Sequence, residues 1–154
     1  MYHRREHKKK MSYLDPQPHQ KMIKIIHEPE FELVTTDSLK WKHKEMYERA
    51  IIFKRMFHYD FVQWQSPEKD NDPNVRGYLF TNDQGAILGA CSFRHRKYES
   101  KMTWVLDWVW ISPKHRRTGQ LEKRWEHFKK TFGKFEVQHP ISDDMQLFLK
   151  KHPI

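Results

Sequence analysis

The apolar positions of the chain recur in two patterns, one typical of helices and one typical of strands. Apolar residues three and four apart predict a helix from about residue 37 to residue 59, with Asp37 or Ser38 as its N-terminal cap. The same spacing predicts a second helix that begins near Thr118 and ends at Gly133. Its buried face consists of Leu121, Trp125, Phe128 and Phe132. Each helix therefore needs an apolar surface to pack against.

Short runs of β-branched and aromatic residues predict the strands of a sheet. Residues 21–27 (KMIKIIH) are predicted as the first strand, and residues 77–81 and 86–94 as a hairpin around the turn at residues 82–85 (NDQG). Residues 103–111 (TWVLDWVWI) are apolar almost throughout, which favours a central strand covered on both faces.

The end of the chain adds a short strand and a helix. Residues 135–138 are predicted as the strand, and Ser142 as the cap of a helix that reaches about Lys151. This order of elements predicts an α/β or α+β domain, with a mixed, mostly antiparallel sheet flanked by helices. The domain is expected at residues 21–154, after a basic, flexible tail at residues 1–20.

Composition narrows the class of protein. Only 37% of the 154 residues are hydrophobic, but 14% are aromatic, which predicts a thin core rich in rings. The single Cys91 excludes an internal disulfide, and no apolar run approaches the roughly 20 residues that cross a bilayer. We therefore expect a cytoplasmic protein that does not insert into a membrane.

The net charge of +9 is unevenly distributed along the chain. Eight basic and two acidic residues lie between Lys114 and Lys134, so two-thirds of the excess falls in one segment. Such a concentration predicts an anionic partner, either a phosphate group, a nucleic acid or an acidic protein.

Residues 110–121 (WISPKHRRTGQL) combine a strand end, a basic turn and a helix start. Gly119 allows the backbone to approach a ligand closely, and Arg116 and Arg117 supply charge-assisted hydrogen bonds. The free N–H groups and the dipole at a helix N-terminus favour an anion. The segment has neither the Gly-Lys-Ser/Thr of a P-loop nor the glycine triplet of a Rossmann turn.

The same segment resembles the GCN5-related N-acetyltransferase (GNAT) superfamily. There a hydrophobic strand leads to Val-x-Pro, two residues, and Arg/Gln-x-x-Gly-x-Gly/Ala at the start of a helix. Here Ile111-Ser112-Pro113 and the run from Arg116 to Leu121 occupy these places, with Leu121 where the family has a small residue. The resemblance covers residues 21–153 and implies a GNAT-type fold. The closing C-terminal hairpin of that fold is not expected, because the sequence ends at Ile154.

The resemblance implies an N-acetyltransferase in which an amine directly attacks acetyl-CoA or another acyl-CoA. It implies a bulge that opens the central strand from residues 135–138 and admits the thioester. The residues assigned to the cofactor are Trp110, Ile111, Arg116, Arg117, Thr118, Gly119, Gln120, Leu121 and Ser142. Family members often carry a Tyr that protonates the departing thiolate, and Leu149 stands at this place.

Asp107 is the candidate general base, because it is a carboxylate within an otherwise apolar strand. Alternation places it on one face with Val105, Val109 and Ile111. Burial raises the pKa of a carboxyl group toward the range useful for a base. The alternative is a structural ion pair with an Arg or Lys residue. Three histidines near strand ends are either proton relays or surface residues: His95, His115 and His139.

Two other functions remain open at this stage. Residues 104–108 (WVLDW) resemble the Trp-x-x-Asp-Trp strand of toxin-activating lysine acyltransferases, whose donor is an acyl carrier protein. Basic charge with interleaved aromatic residues is also typical of modules that bind nucleic acid or an acidic partner without catalysis. An open sheet edge would suit a second copy of the chain, as in a homodimer.

Overall fold

The structure, a computed structural model, describes residues 13–65 and 72–154. Its helices are α1 (Gln20–Ile25), α2 (Lys40–Phe57), α3 (Glu122–Phe132) and α4 (Asp143–Lys151). The strands are β1 (Leu33–Val34), β2 (Val75–Thr81), β3 (Ile87–Tyr98), β4 (Lys101–Ile111) and β5 (Glu136–Val137). A short 3-10 turn at Pro113–His115 joins β4 to the segment before α3.

The strands of the described residues form one five-stranded sheet in the order β1-β2-β3-β4-β5. All neighbours are antiparallel except β4 and β5, which are parallel, so the predicted mixed sheet is confirmed. The predicted hairpin is confirmed as β2 and β3, and β4 extends the predicted central strand by two residues.

Helices cover both faces of the sheet. On one face, α2 supplies Met46, Ala50 and Phe53, which pack with Trp108 and Trp110 of β4. On the other face, aromatic residues of α3 pack with β2, β3 and β4. The buried residues of this second layer include Tyr78, Phe93, Leu106, Trp125, Phe128 and Phe132. The core is therefore as rich in rings as the composition predicts.

The prediction of a strand at residues 21–27 is wrong, since most of this segment forms α1. Met22 is fully buried against the α2 face of the sheet, and Ile25 packs beside it. These residues are three apart, which suits a helix, and His19 caps it by accepting the N–H of Met22. The apolar residues of this segment fit both the two-residue period of a strand and the 3.6-residue period of a helix. Packing against the rest of the domain therefore decides in favour of the helix.

The domain begins before residue 21. Pro18 pairs with Ala86, and the Ser112 hydroxyl donates to the Leu14 carbonyl. Residues 13–20 therefore pack on the domain instead of forming a tail. The rest of the predicted tail, residues 1–12, lies outside the described residues.

Helix boundaries differ from the prediction at two N-termini. α2 follows Leu39 without a side-chain cap, because the Ser38 hydroxyl accepts the N–H of Thr35 instead. α3 begins at Glu122, one turn later than Thr118. The ends at Gly133 and Lys151 and the Ser142 cap are confirmed. Within the described residues, no helix has the length and apolar character needed to span a membrane.

Candidate active site

The turn between β4 and α3 holds a row of free backbone N–H groups. Arg117 and Gly119 have positive φ angles of 60° and 82°, so the chain leaves the helical region twice before α3 begins. Within residues 13–65 and 72–154, nothing accepts a hydrogen bond from the N–H groups of residues 117–121. The Thr118 hydroxyl donates to the His115 carbonyl and tightens the turn. Successive residues with φ angles of alternating sign can form a concave, anion-binding nest of N–H groups.

The side chains of Arg116 and Arg117, both in the turn, make different contacts. Arg116 Nε donates to the Ile111 carbonyl at 2.9 Å, so this side chain braces the turn against the end of β4. Arg117 points outward, with 82% of its side chain exposed, and pairs with Asp144 of α4 at 3.0 Å. Of the two side chains, that of Arg117 is therefore the more exposed to solvent.

Residues that follow the turn anchor it to the core. Leu121, where the GNAT pattern has a small residue, is buried in the layer beneath α3. Arg124 binds the Gln120 carbonyl at 2.7 Å and forms a buried ion pair with Glu32 at 2.6 Å. Gln120 Nε2 in turn donates to Thr118 Oγ1. The burial of Leu121 and the hydrogen bonds of Arg124 and Gln120 thus hold the nest in place.

β4 contains the bulge that the resemblance implies. Ser92 lies opposite Trp108 and Phe93 lies opposite Leu106, so Asp107 is the extra residue. β4 pairs with β5 only at Val105 and Leu106. From the bulge to Ile111, β4 has no partner strand on this side among the described residues. An open edge of β4 therefore leads directly into the nest.

The backbone groups at this open edge belong to Val109 and Ile111. The Ser112 N–H donates to the Leu88 carbonyl and so faces β3, and alternation places Trp110 toward β3 as well. Trp110 is buried, with its Nε1 directed at the Met56 sulfur. The sequence analysis missed Val109, although the two-residue alternation of a strand links it to Ile111.

Asp107 lies at the point where β4 and β5 separate. Its side chain is only 5% exposed, and its Oδ1 accepts a hydrogen bond from Arg96 at 3.0 Å. Arg96 also donates to the Gln138 side chain just beyond β5. Burial raises the pKa of Asp107, and the hydrogen bond and charge of Arg96 partly oppose this increase.

The predicted shared face of Asp107 with Val109 and Ile111 is wrong, because the bulge interrupts the alternation. Val109 and Ile111 pack in the layer beneath α3, whereas Asp107 contacts Arg94 and Arg96 of β3. The structural ion pair weighed from sequence is therefore present, and it coexists with a raised pKa.

The remaining sequence candidates make other contacts. His95 packs on Trp104 with ring centroids 5.2 Å apart, and His139 stacks on Tyr98. His115 belongs to the 3-10 turn. Ser142 caps α4 through the N–H of Met145, two residues before Asp144 and its contact with Arg117. Leu149 packs in the layer beneath α3 and offers no proton donor.

Comparisons with known proteins identify the fold. The xEco2 acetyltransferase domain, solved with a bound CoA conjugate, matches with a TM-score of 0.60 at 14% identity, over 77% of this chain and 84% of that one. Tetrahymena GCN5 matches with a TM-score of 0.51 at 14% identity, over 78% of this chain and 74% of that one. The aminoglycoside acetyltransferase meta-AAC0020, from an uncultured soil metagenomic sample, has a TM-score of 0.51 at 14% identity, over 78% and 83%.

Sequence comparison adds no further assignment. No family model matches the chain, and no curated protein is a significant match. The structural matches show that the chain has the fold of the GNAT acetyltransferases, as the resemblance implied.

Proposed function

We propose that the protein is an acyl-CoA-dependent N-acyltransferase that transfers acetyl from acetyl-CoA to an amine by direct attack in a ternary complex. The observation that carries this proposal is the continuity of the open β4 edge with the nest at residues 117–121. Coenzyme A has a matching order of groups, with an amide-bearing pantetheine arm joined to a pyrophosphate. The fold shared with acetyltransferases supports the same function.

In this proposal each part of the site binds a different part of the cofactor. The N–H groups of residues 117–121 and the Arg117 side chain bind the pyrophosphate. The backbone groups of Val109 and the N–H of Ile111 pair with the pantetheine amides, in the way an added strand would, while the Ile111 carbonyl keeps its bond from Arg116. The thioester then lies beside the bulge at Asp107, where the strands separate.

Asp107 serves as the general base in the transfer. It accepts a proton from the amine as the nitrogen attacks the thioester carbonyl. The new C–N bond forms and the C–S bond breaks, so that CoA leaves as a thiolate, which is then protonated by solvent. Arg96 binds the Asp107 carboxylate and is itself held by the Gln138 side chain.

The donor separates this proposal from the carrier-protein alternative. An acyl carrier protein presents a phosphopantetheine arm but no adenosine pyrophosphate, so it would use the β4 edge and leave most of the nest empty. The five free N–H groups are better explained by CoA. Competition by free CoA against each donor distinguishes the two.

The experiment measures CoA affinity by calorimetry and acetyl-CoA turnover with a panel of amines. Arg117→Glu is expected to weaken CoA binding by more than tenfold, because it replaces the outward cation with an anion beside the pyrophosphate. Lys134→Glu makes the same charge change just beyond the far end of α3 and is expected to leave the affinity nearly unchanged. Equal affinities for Arg117→Glu and the wild type would contradict the assignment of the turn.

A further inference from the structure

The Arg117 side chain, which the proposed function assigns to the pyrophosphate, already binds an anion of the protein itself. Its Nη2 donates to Asp144 Oδ1 at 3.0 Å, and both side chains are exposed at the surface. Arg117 is part of the nest, so the carboxylate lies within the length of one arginine side chain from the free N–H groups of residues 117–121. An anion in the nest therefore has a second negative charge close to it.

α4 holds Asp144 in this position. Ser142 caps the helix by accepting a backbone N–H at 3.1 Å, and the Phe148 ring packs on Trp125 of α3 with centroids 4.9 Å apart. Asp144 lies in the first turn of α4, where the helix dipole favours a negative side chain. Because α4 is packed on α3, the carboxylate stays within reach of Arg117 when the Arg117 side chain turns toward a ligand.

The carboxylate and a bound pyrophosphate would share one guanidinium group. If Arg117 turns to the pyrophosphate, its bond to Asp144 is lost. If Arg117 keeps both contacts, the two anions lie close together and repel each other. Either arrangement lowers the affinity for the cofactor below the value that Arg117 alone would give. The loss is modest, because the pair is exposed and solvent screens it.

We infer that Asp144 competes with the pyrophosphate of the cofactor for Arg117, and that it thereby weakens the binding of CoA and speeds the release of CoA as a product. The inference rests on the proposed function, because it takes Arg117 as a ligand of the pyrophosphate. Asp144 acts through Arg117, so it is a positioning residue and not a catalytic one.

The effect belongs to binding and not to the chemical step. Acetyl-CoA and CoA carry the same pyrophosphate, which forms and breaks no bond in the transfer. Asp144 therefore changes the binding of substrate, transition state and product equally. Asp144→Asn is expected to lower the Kd of CoA, and its product-inhibition constant against acetyl-CoA, by roughly two- to fivefold. The single-turnover rate constant at saturating acetyl-CoA should stay the same.

Asp143→Asn is the matched control. It removes the same charge from the same first turn of α4, but among the residues that the structure describes Asp143 has no ion pair with Arg117 or any other side chain. It is expected to change the Kd of CoA by less than Asp144→Asn does. Equal gains in affinity from the two variants would overturn the inference, because the general charge of α4 would then explain both.

A second pair of measurements tests whether Asp144 acts through Arg117. In an Arg117→Gln background the ion pair is absent, so Asp144→Asn is expected to tighten CoA binding by a smaller factor than in the wild type. Acetyl-pantetheine lacks the pyrophosphate, so its kcat/KM as a donor should be the same in Asp144→Asn and the wild type. An undiminished gain in the Arg117→Gln background, or an equal gain with acetyl-pantetheine, would overturn the inference.

The calorimetric titration with CoA also separates this inference from the proposed function. A wild-type protein that binds CoA, with Asp144→Asn binding no tighter or more weakly, would overturn the role of Asp144 and leave the acyltransferase proposal intact. Failure of the wild type to bind CoA would contradict the proposed function, and this inference with it.

Discussion

Asp107 is buried and pairs with the partly exposed Arg96, and burial and pairing have opposite effects on the pKa of the carboxyl group. Burial raises the pKa of Asp107, and the Arg96 guanidinium lowers it. A base with a raised pKa loses activity as the pH falls through that value, because its protonated form accepts no proton. The acid limb of kcat/KM is therefore expected above the ordinary Asp pKa of about 3.9.

Arg96→Met is expected to move this acid limb to higher pH. The substitution removes the hydrogen bond and the charge that favour the ionised carboxylate, while the desolvation of Asp107 remains. The measurement is the pH profile of kcat/KM with a fixed amine. Arg76→Met is the matched control, since Arg76 lies over Trp104 and does not contact Asp107. A limb that stays in place in Arg96→Met would show that Asp107 is not the titrating base.

The sequence singled out Asp107 but not its partners. A carboxylate within an apolar strand is visible in the printed sequence, because its burial has a cost that demands an explanation. Arg96 and Gln138 gave no local signal. Arg96 reaches Asp107 through the register of β3 on β4, and Gln138 reaches Arg96 through the alignment of β5. Both are long-range properties of the sheet. The bulge, which turns Asp107 away from Val109, is likewise set by pairing.

At the scale of elements, the spacing of apolar residues was sufficient to predict a helix or a strand where it fitted only one of the two. The hairpin, β4 and α3 each have a clear pattern, and each formed as predicted apart from its boundaries. Residues 21–27 carry both periods, so only packing on the sheet could select α1. The late start of α3 follows from the positive φ angles at Arg117 and Gly119, which a basic turn with one glycine does not specify by itself.

One ion pair, between Arg124 and Glu32, adds to the aromatic packing that attaches α3 to the sheet. Arg124 binds Glu32, the Thr81 carbonyl and the Gln120 carbonyl, and its side chain is only 9% exposed. Arg124→Met is expected to lower the free energy of unfolding by about 3 kcal/mol, because it leaves the Glu32 charge buried without its cation. Urea denaturation measures this loss.

The exposed ion pair between Arg117 and Asp144 is expected to contribute less to the free energy of unfolding than the pair between Arg124 and Glu32. Its side chains are 82% and 67% exposed, so solvent screens their attraction. Asp144→Asn is expected to change the free energy of unfolding by less than about 1 kcal/mol. Equal losses for Asp144→Asn and Arg124→Met would contradict the view that α3 is anchored through Arg124.

At the scale of the whole molecule, the net charge of +9 would suit either a cofactor site or a nucleic-acid surface. The salt dependence of binding distinguishes the two. A protein that neutralises six to ten phosphates loses about 10³- to 10⁵-fold in affinity between 50 and 200 mM salt. The proposed CoA site contains one outward arginine, and its other contacts are neutral N–H groups. Salt screens such contacts weakly.

CoA affinity is therefore expected to fall by less than about tenfold over the same range of salt, as one or two released counterions require. Calorimetry at a series of salt concentrations gives the slope, with a single-stranded oligonucleotide titrated in parallel. Weak, steeply salt-dependent binding of the oligonucleotide beside a shallow slope for CoA would mark the basic surface as nonspecific and the nest as the site. A steep slope for CoA would mean that diffuse charge, and not the ordered N–H groups of residues 117–121, holds the cofactor.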